Sequence, residues 1–69
     1  MTESVEVSVV LPAYNEAATI RTTVETTLDA LAAFLPAGTF EVIVAEDGCD
    51  DATPDIADEM AAADDRVRH

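Results

Sequence analysis

Lysine and tryptophan are absent from these 69 residues, cysteine and tyrosine occur once each, and glycine only twice. Each scarcity removes a class of function. With Gly38 and Gly48 alone, neither G-x-G-x-x-G nor G-x-x-x-x-G-K-[ST] can be written, so no glycine loop cradles a pyrophosphate. A lone Cys49 forms no intrachain disulfide, and one thiol makes no structural zinc site, so it reads as a small loop residue. Fifteen acidic residues stand against three basic ones, all arginine, giving a formal net charge of -12. That balance repels phosphate backbones and anionic membrane surfaces, and nucleic acid is not an expected partner. No apolar run approaches the ~18 residues of a membrane span, and Met1 to Val5 is not a basic-then-apolar leader. The expectation is a soluble, cytoplasmic chain.

Apolar residues make up 49% of the sequence and are grouped in runs and stripes, which excludes an acidic disordered tail and predicts a folded core. A chain this short buries only about 60% of the surface its unfolded form exposes. It is therefore one domain at most, and reads as a piece of something larger. The lysine-free, alanine-rich, acidic surface resembles that of proteins from very salty cytoplasm, where salt would screen the self-repulsion.

After a polar lead-in at 1–4, Val5 to Leu11 is rich in β-branched residues and apolar on both faces at its end, which predicts a strand covered on both sides and ended by Pro12. Asn15 is placed to cap a helix from Ala17 to Leu35, with Glu16 suited to its positive end. Ile20, Val24, Leu28, Leu31 and Leu35 form one continuous stripe along that helix. Pro36-Ala37-Gly38 stops it and reverses the chain into a second apolar strand, Phe40 to Ala45. Thr53 and Pro54 match a cap followed by proline at the first helical position. The second helix is predicted over Pro54–Ala63, with Ile56 and Met60 inward. Arg66 to His69 reads as the start of a third strand. The order β-α-β-α-(β) is the opening of an α/β domain with a parallel sheet.

In such a sheet the ligand lies outside the carboxyl ends of the strands, where both Pro12–Glu16 and Glu46–Asp51 fall. Tyr14 offers a ring for a base to stack on; it reads equally as a loop aromatic covering a sheet end. Asp47 offers acceptors for a ribose hydroxyl or a base N–H, although Glu46–Asp51 taken alone is a solvated acidic turn. The acidic run is not an EF-hand, because Ala52 stands where glycine is required and Asp58 where a bidentate glutamate belongs. His69 reads as a surface residue rather than a catalyst.

Ser8-Val9-Val10-Leu11-Pro12-Ala13-Tyr14-Asn15-Glu16, followed by Glu41-Val42-Ile43-Val44-Ala45-Glu46-Asp47-Gly48-Cys49-Asp50-Asp51-Ala52-Thr53, resembles the amino terminus of family 2 glycosyltransferases. The flavour is that of the dolichyl-phosphate hexose synthase branch. The resemblance implies a truncated GT-A, Rossmann-like fold, with residues 1–69 as part of its nucleotide-sugar-binding half. It departs from the family pattern where Glu46 replaces an aspartate and Cys49 a serine. By position it implies that Pro12, Tyr14, Glu16, Ala45 and Asp47 contact the nucleoside of a GDP- or UDP-hexose, with no contact assigned to Glu46. It also implies a polyprenyl or dolichyl phosphate acceptor, a place at the cytoplasmic face of the membrane for the full-length enzyme, and a divalent metal, magnesium or manganese. The family's metal-binding Asp-x-Asp lies downstream, and no two aspartates here are separated by one residue. No catalytic residue or metal ligand is therefore expected in this chain, which alone would be inactive. The competing readings are a truncated, non-catalytic remnant and a receiver-like signalling module. The second needs a later lysine that this chain lacks.

Overall fold

The computed structural model describes residues 5–69, so the expected lead-in at 1–4 lies outside the described residues. Five elements follow in order: β1 (Val7–Ala13), α1 (Ile20–Phe34), β2 (Phe40–Glu46), α2 (Thr53–Ala63) and β3 (Val67–Arg68). The strands form one parallel sheet in the order β1-β2-β3. This is the predicted alternating α/β opening. Neighbouring parallel strands are joined through a helix each time, as a parallel pair requires.

The core lies between the sheet and its two helices. Alternation along β2 puts Phe40, Val42 and Val44 on the helix side, where all three are buried. They meet Ile20, Val24 and Leu28 of α1 and Ala57 and Met60 of α2 in one cluster that Val67 of β3 completes. Leu31 and Leu35 pack at its edge, so the predicted stripe is the buried face of α1. On α2 the fully buried residues are Thr53 and Ala57, with Met60 nearly so, whereas Ile56 is only half-buried.

Two expectations for β1 are corrected. Among the described residues the strand is not covered on both sides: Ser8, Val10 and Pro12 alternate outward, and Val10 is 55% exposed. Apolar character on both faces reports what side chains favour, not whether a layer is present to cover them. Nor does Pro12 end the strand, which continues to Ala13 with Pro12 opposite Ala45. Among the described residues β1 is paired along one edge only, and an edge strand tolerates proline because its nitrogen can face away from the ladder.

Both predicted helix starts also shift. One separate turn precedes α1, in which the Thr19 and Ile20 amides both donate to the Glu16 carbonyl, and Thr19 stands at the helix boundary without a side-chain cap. Asn15 does not cap; it occupies the left-handed region at φ 51°, which asparagine tolerates better than most residues. Thr53 is the first residue of α2 rather than its cap, with Ala52 at the boundary. The reversal at Gly38 is as predicted, with φ 84° and the Thr39 amide donating to the Pro36 carbonyl.

Each arginine is held by a carboxylate. Arg21 joins α1 to Glu59 of α2 at 3.0 Å, Arg66 grips Asp64 at 2.6 Å, and Arg68 reaches Glu41 across the sheet at 2.8 Å. Ser8 donates to the other oxygen of Glu41, so a polar ladder crosses all three strands on the open face. Ser8 and Arg68 together hold the Glu41 carboxyl below its ordinary range. Among the described residues no helix is long and apolar enough to cross a membrane.

Candidate functional site

Parallel pairing aligns the carboxyl ends of β1 and β2, with Ala13 opposite Glu46. The loops leaving those ends, 14–19 and 47–52, are therefore neighbours, as the sequence predicts. What the sequence does not disclose is how tightly they are tied. The Glu16 amide donates to the Thr53 hydroxyl at 2.8 Å, and the Ala17 amide to Asp51 Oδ2 at 3.1 Å. In the opposite direction the Asp50 amide donates to Asn15 Oδ1 at 2.7 Å. Cys49 Sγ lies 3.4 Å from the Asn15 amide that donates to it and 3.8 Å from the Ala13 carbonyl.

Asp51 is the hub of this network. Its Oδ1 accepts from the Thr53 hydroxyl at 2.6 Å and from the Thr53 amide at 2.9 Å. These bonds favour the ionised form, and together with the Ala17 amide they hold the Asp51 carboxyl below its ordinary value. Thr53, with no exposed surface, is the buried polar residue of the core, and both roles of its hydroxyl are filled. The left-handed turn at Asn15 presents that side chain to the second loop.

The side chains expected to contact a nucleoside stand beside this network and outside it. Pro12 and Ala45 are exposed register partners on the open face at the sheet's carboxyl edge. Tyr14 is 62% exposed in the first loop, and Glu16 and Asp47 are exposed in the first and second. Among the described residues, the side chains of Tyr14, Glu16 and Asp47 make no hydrogen bond. The two loops thus separate into side chains consumed by the structure and side chains left facing solvent. Gly48, at φ 76°, turns the chain between Asp47 and Cys49, and a side chain there would meet no atom, so only the backbone conformation favours glycine.

From sequence alone Asn15 reads as a cap, Asp51 as one of several turn acids, Cys49 as a small loop residue and His69 as a surface residue. Periodicity acts within a segment and carries no signal for contacts between residues 34 to 37 positions apart. The structure places His69 between two carboxylates: Nδ1 is 2.6 Å from Asp58 of α2, and Nε2 is 2.7 Å from Glu46 at the end of β2. Asp58 first and Glu46 second raise the imidazole above its ordinary 6.5, since the imidazolium can donate to both. The resulting stabilisation is fully present below the unfolded value of 6.5 and is lost as pH rises through the raised folded value. Thermal unfolding of the native chain and of His69→Gln, followed upward from about pH 6, should converge as pH rises. A constant difference across that range would remove the ion pair as its cause.

A cleft of about 330 Å³ opens between α1 and α2, over Leu28, Met60 and Val67, but no residue of the two loops lines it. Among the described residues no group of three or more His, Cys, Asp or Glu side chains is placed to hold a metal ion. The described residues do not by themselves fit the divalent metal that the family resemblance implies for the full-length enzyme.

The fold and the paired loops agree with what comparison finds. Glycosyltransferase AglD of Haloferax volcanii is 72% identical over 65 residues, which cover 94% of this chain and 10% of that protein. The chain spans about a tenth of that relative's length. No solved structure matches. The profile described as glycosyl transferase family 2 matches residues 8–69, nearly the whole chain and both loops, and sets aside the receiver-like reading. The chain therefore belongs to glycosyl transferase family 2, as an α/β unit with three parallel strands and two helices.

Proposed function

We propose that this chain forms the nucleoside-binding side of the donor site of a hexosyltransferase that takes a GDP- or UDP-hexose. The observation that carries the reading is the division of the two loops, in which a hydrogen-bonded network leaves Tyr14, Glu16 and Asp47 exposed at the carboxyl edge of a parallel sheet. Tyr14 stacks on the base, Asp47 accepts from a base N–H, and Pro12 and Ala45 form the apolar floor beside them. Glu16 accepts from a ribose hydroxyl. These residues bind and orient the donor, and bond-making belongs to groups elsewhere in the enzyme.

The acceptor in this reading is a polyprenyl or dolichyl phosphate. One of its phosphate oxygens attacks the anomeric carbon as the bond from that carbon to the nucleoside diphosphate breaks, and the diphosphate leaves with the bonding pair. The work is done on the cytoplasmic side, at the membrane face where such an acceptor resides.

Equilibrium titration of the full-length protein with GDP and UDP tests the donor reading. Tyr14→Ala and Asp47→Ala should each weaken binding of the preferred nucleotide roughly tenfold, equivalent to about 1.4 kcal/mol. Unchanged affinity in both variants would overturn the assignment.

A further inference from the structure

We infer that Asp51 and Thr53 are positioning residues for the nucleoside crevice, joining its two loops into one preorganised unit through hydrogen bonds that cross from the second loop to the first. The inference rests on the donor-site reading above and extends it to residues to which that reading assigns no contact with the donor.

The geometry differs from that of ordinary helix capping. The turn ahead of α1 leaves the Glu16 and Ala17 amides without partners of their own, and α1 has no side-chain cap at its boundary. Their acceptors come from 37 and 34 residues away, at the start of α2. Thr53 is a relay: its hydroxyl accepts from Glu16 and donates to Asp51, while it sits wholly buried in the core. Asp51 then fixes the loop from both sides, taking Thr53 with one oxygen and Ala17 with the other. The return bond from the Asp50 amide to Asn15 closes the circuit, so neither loop can move without breaking bonds to the other.

Glu16 and Asp47 lie within this circuit's span, on opposite loops. Their separation is set by the cross-loop bonds rather than by any contact between the two. Without the bonds, binding a nucleoside would also have to order both loops, a cost that weakens affinity without altering the contacts made. Such a loss falls equally on the ground and transition states, and so appears in KM rather than in kcat.

The test uses full-length protein in salt, with variants measured below their unfolding temperature. Thr53→Val keeps volume and removes the relay, Asp51→Asn keeps shape and removes one acceptor, and Thr53→Ser is the conservative rescue. Expected are a roughly tenfold weaker nucleotide affinity in Thr53→Val and a smaller loss in Asp51→Asn. KM for the donor should rise with kcat near native, and amide exchange at Glu16 and Ala17 should be faster in the free protein. Thr53→Ser should restore all three. If Thr53→Val fails to fold, Asp51→Asn carries the same readouts, because its side chain is exposed. Native affinity in folded variants, with binding still dependent on Tyr14 and Asp47, overturns this inference alone. Binding that is indifferent to Tyr14 and Asp47 overturns the donor-site reading and this inference with it.

Discussion

Phe40→Ala should unfold most of the chain at room temperature, through a loss of about 3–5 kcal/mol. Phe40 opens β2, is 3% exposed, and lies in the cluster shared by the sheet and both helices. The Arg66 guanidinium sits 5.9 Å from its ring centroid, so truncation also removes a cation–π partner from the loop before β3. A core this small rarely supplies more than about 3–5 kcal/mol of net stability, which makes the expected loss comparable to the total. Phe34 is the internal control. It stands at the end of α1 with 86% of its surface exposed, and Phe34→Ala should change stability by less than about 0.5 kcal/mol. Urea unfolding followed by circular dichroism, in enough salt to screen the net charge, measures both. Similar losses in the two variants would contradict the burial assigned here.

The phase of α1 yields the second large effect. Val24→Asp should abolish folding at neutral pH, because Val24 has no exposed surface and an unpaired carboxylate there would cost several kcal/mol, comparable to the roughly 3–5 kcal/mol that so small a core supplies. Thr26, two residues on and exposed, should accept the same substitution within about 0.5 kcal/mol. The contrast is a direct reading of the helical stripe, since residues two apart lie on different sides of a helix. A folded Val24→Asp chain with native helix content at neutral pH would require α1 to be rotated from its assigned orientation.

The stripe that predicts these outcomes was visible in the spacing of Ile20, Val24, Leu28, Leu31 and Leu35, because helical geometry converts position directly into direction. Element order was legible for the same reason, with Pro36 and Gly38 ending one periodic segment and the β-branched run at Phe40 starting the next. Element ends were less legible. Asn15 and Thr53 satisfy the local rules for capping, yet both are drawn into contacts with the opposite loop, where a distant partner competes with the adjacent amide. Pro12 shows the same limit in a strand: a proline stops a ladder that needs its N–H, and whether it is needed depends on which strands lie on either side. The exposed candidates Tyr14, Glu16 and Asp47 were accessible from motif resemblance. Their supports, Asp51 and Thr53, required the loops to be seen together.

By itself the sequence determined the α/β class, the alternation of two helices with three strands, the inward face of α1 and the acidic character of the surface. All of these follow from composition and from periods of two and 3.6 residues, which act within a segment. Tertiary structure alone decided that, among the described residues, one face of the sheet is open at Val10 and Pro12, that His69 bridges Glu46 and Asp58, and that the two loops are bound into one crevice. The bridge and the crevice depend on groups 11 to 37 residues apart meeting at hydrogen-bonding distance. That meeting is created when the parallel strands pair in register and carry their loops to a common edge.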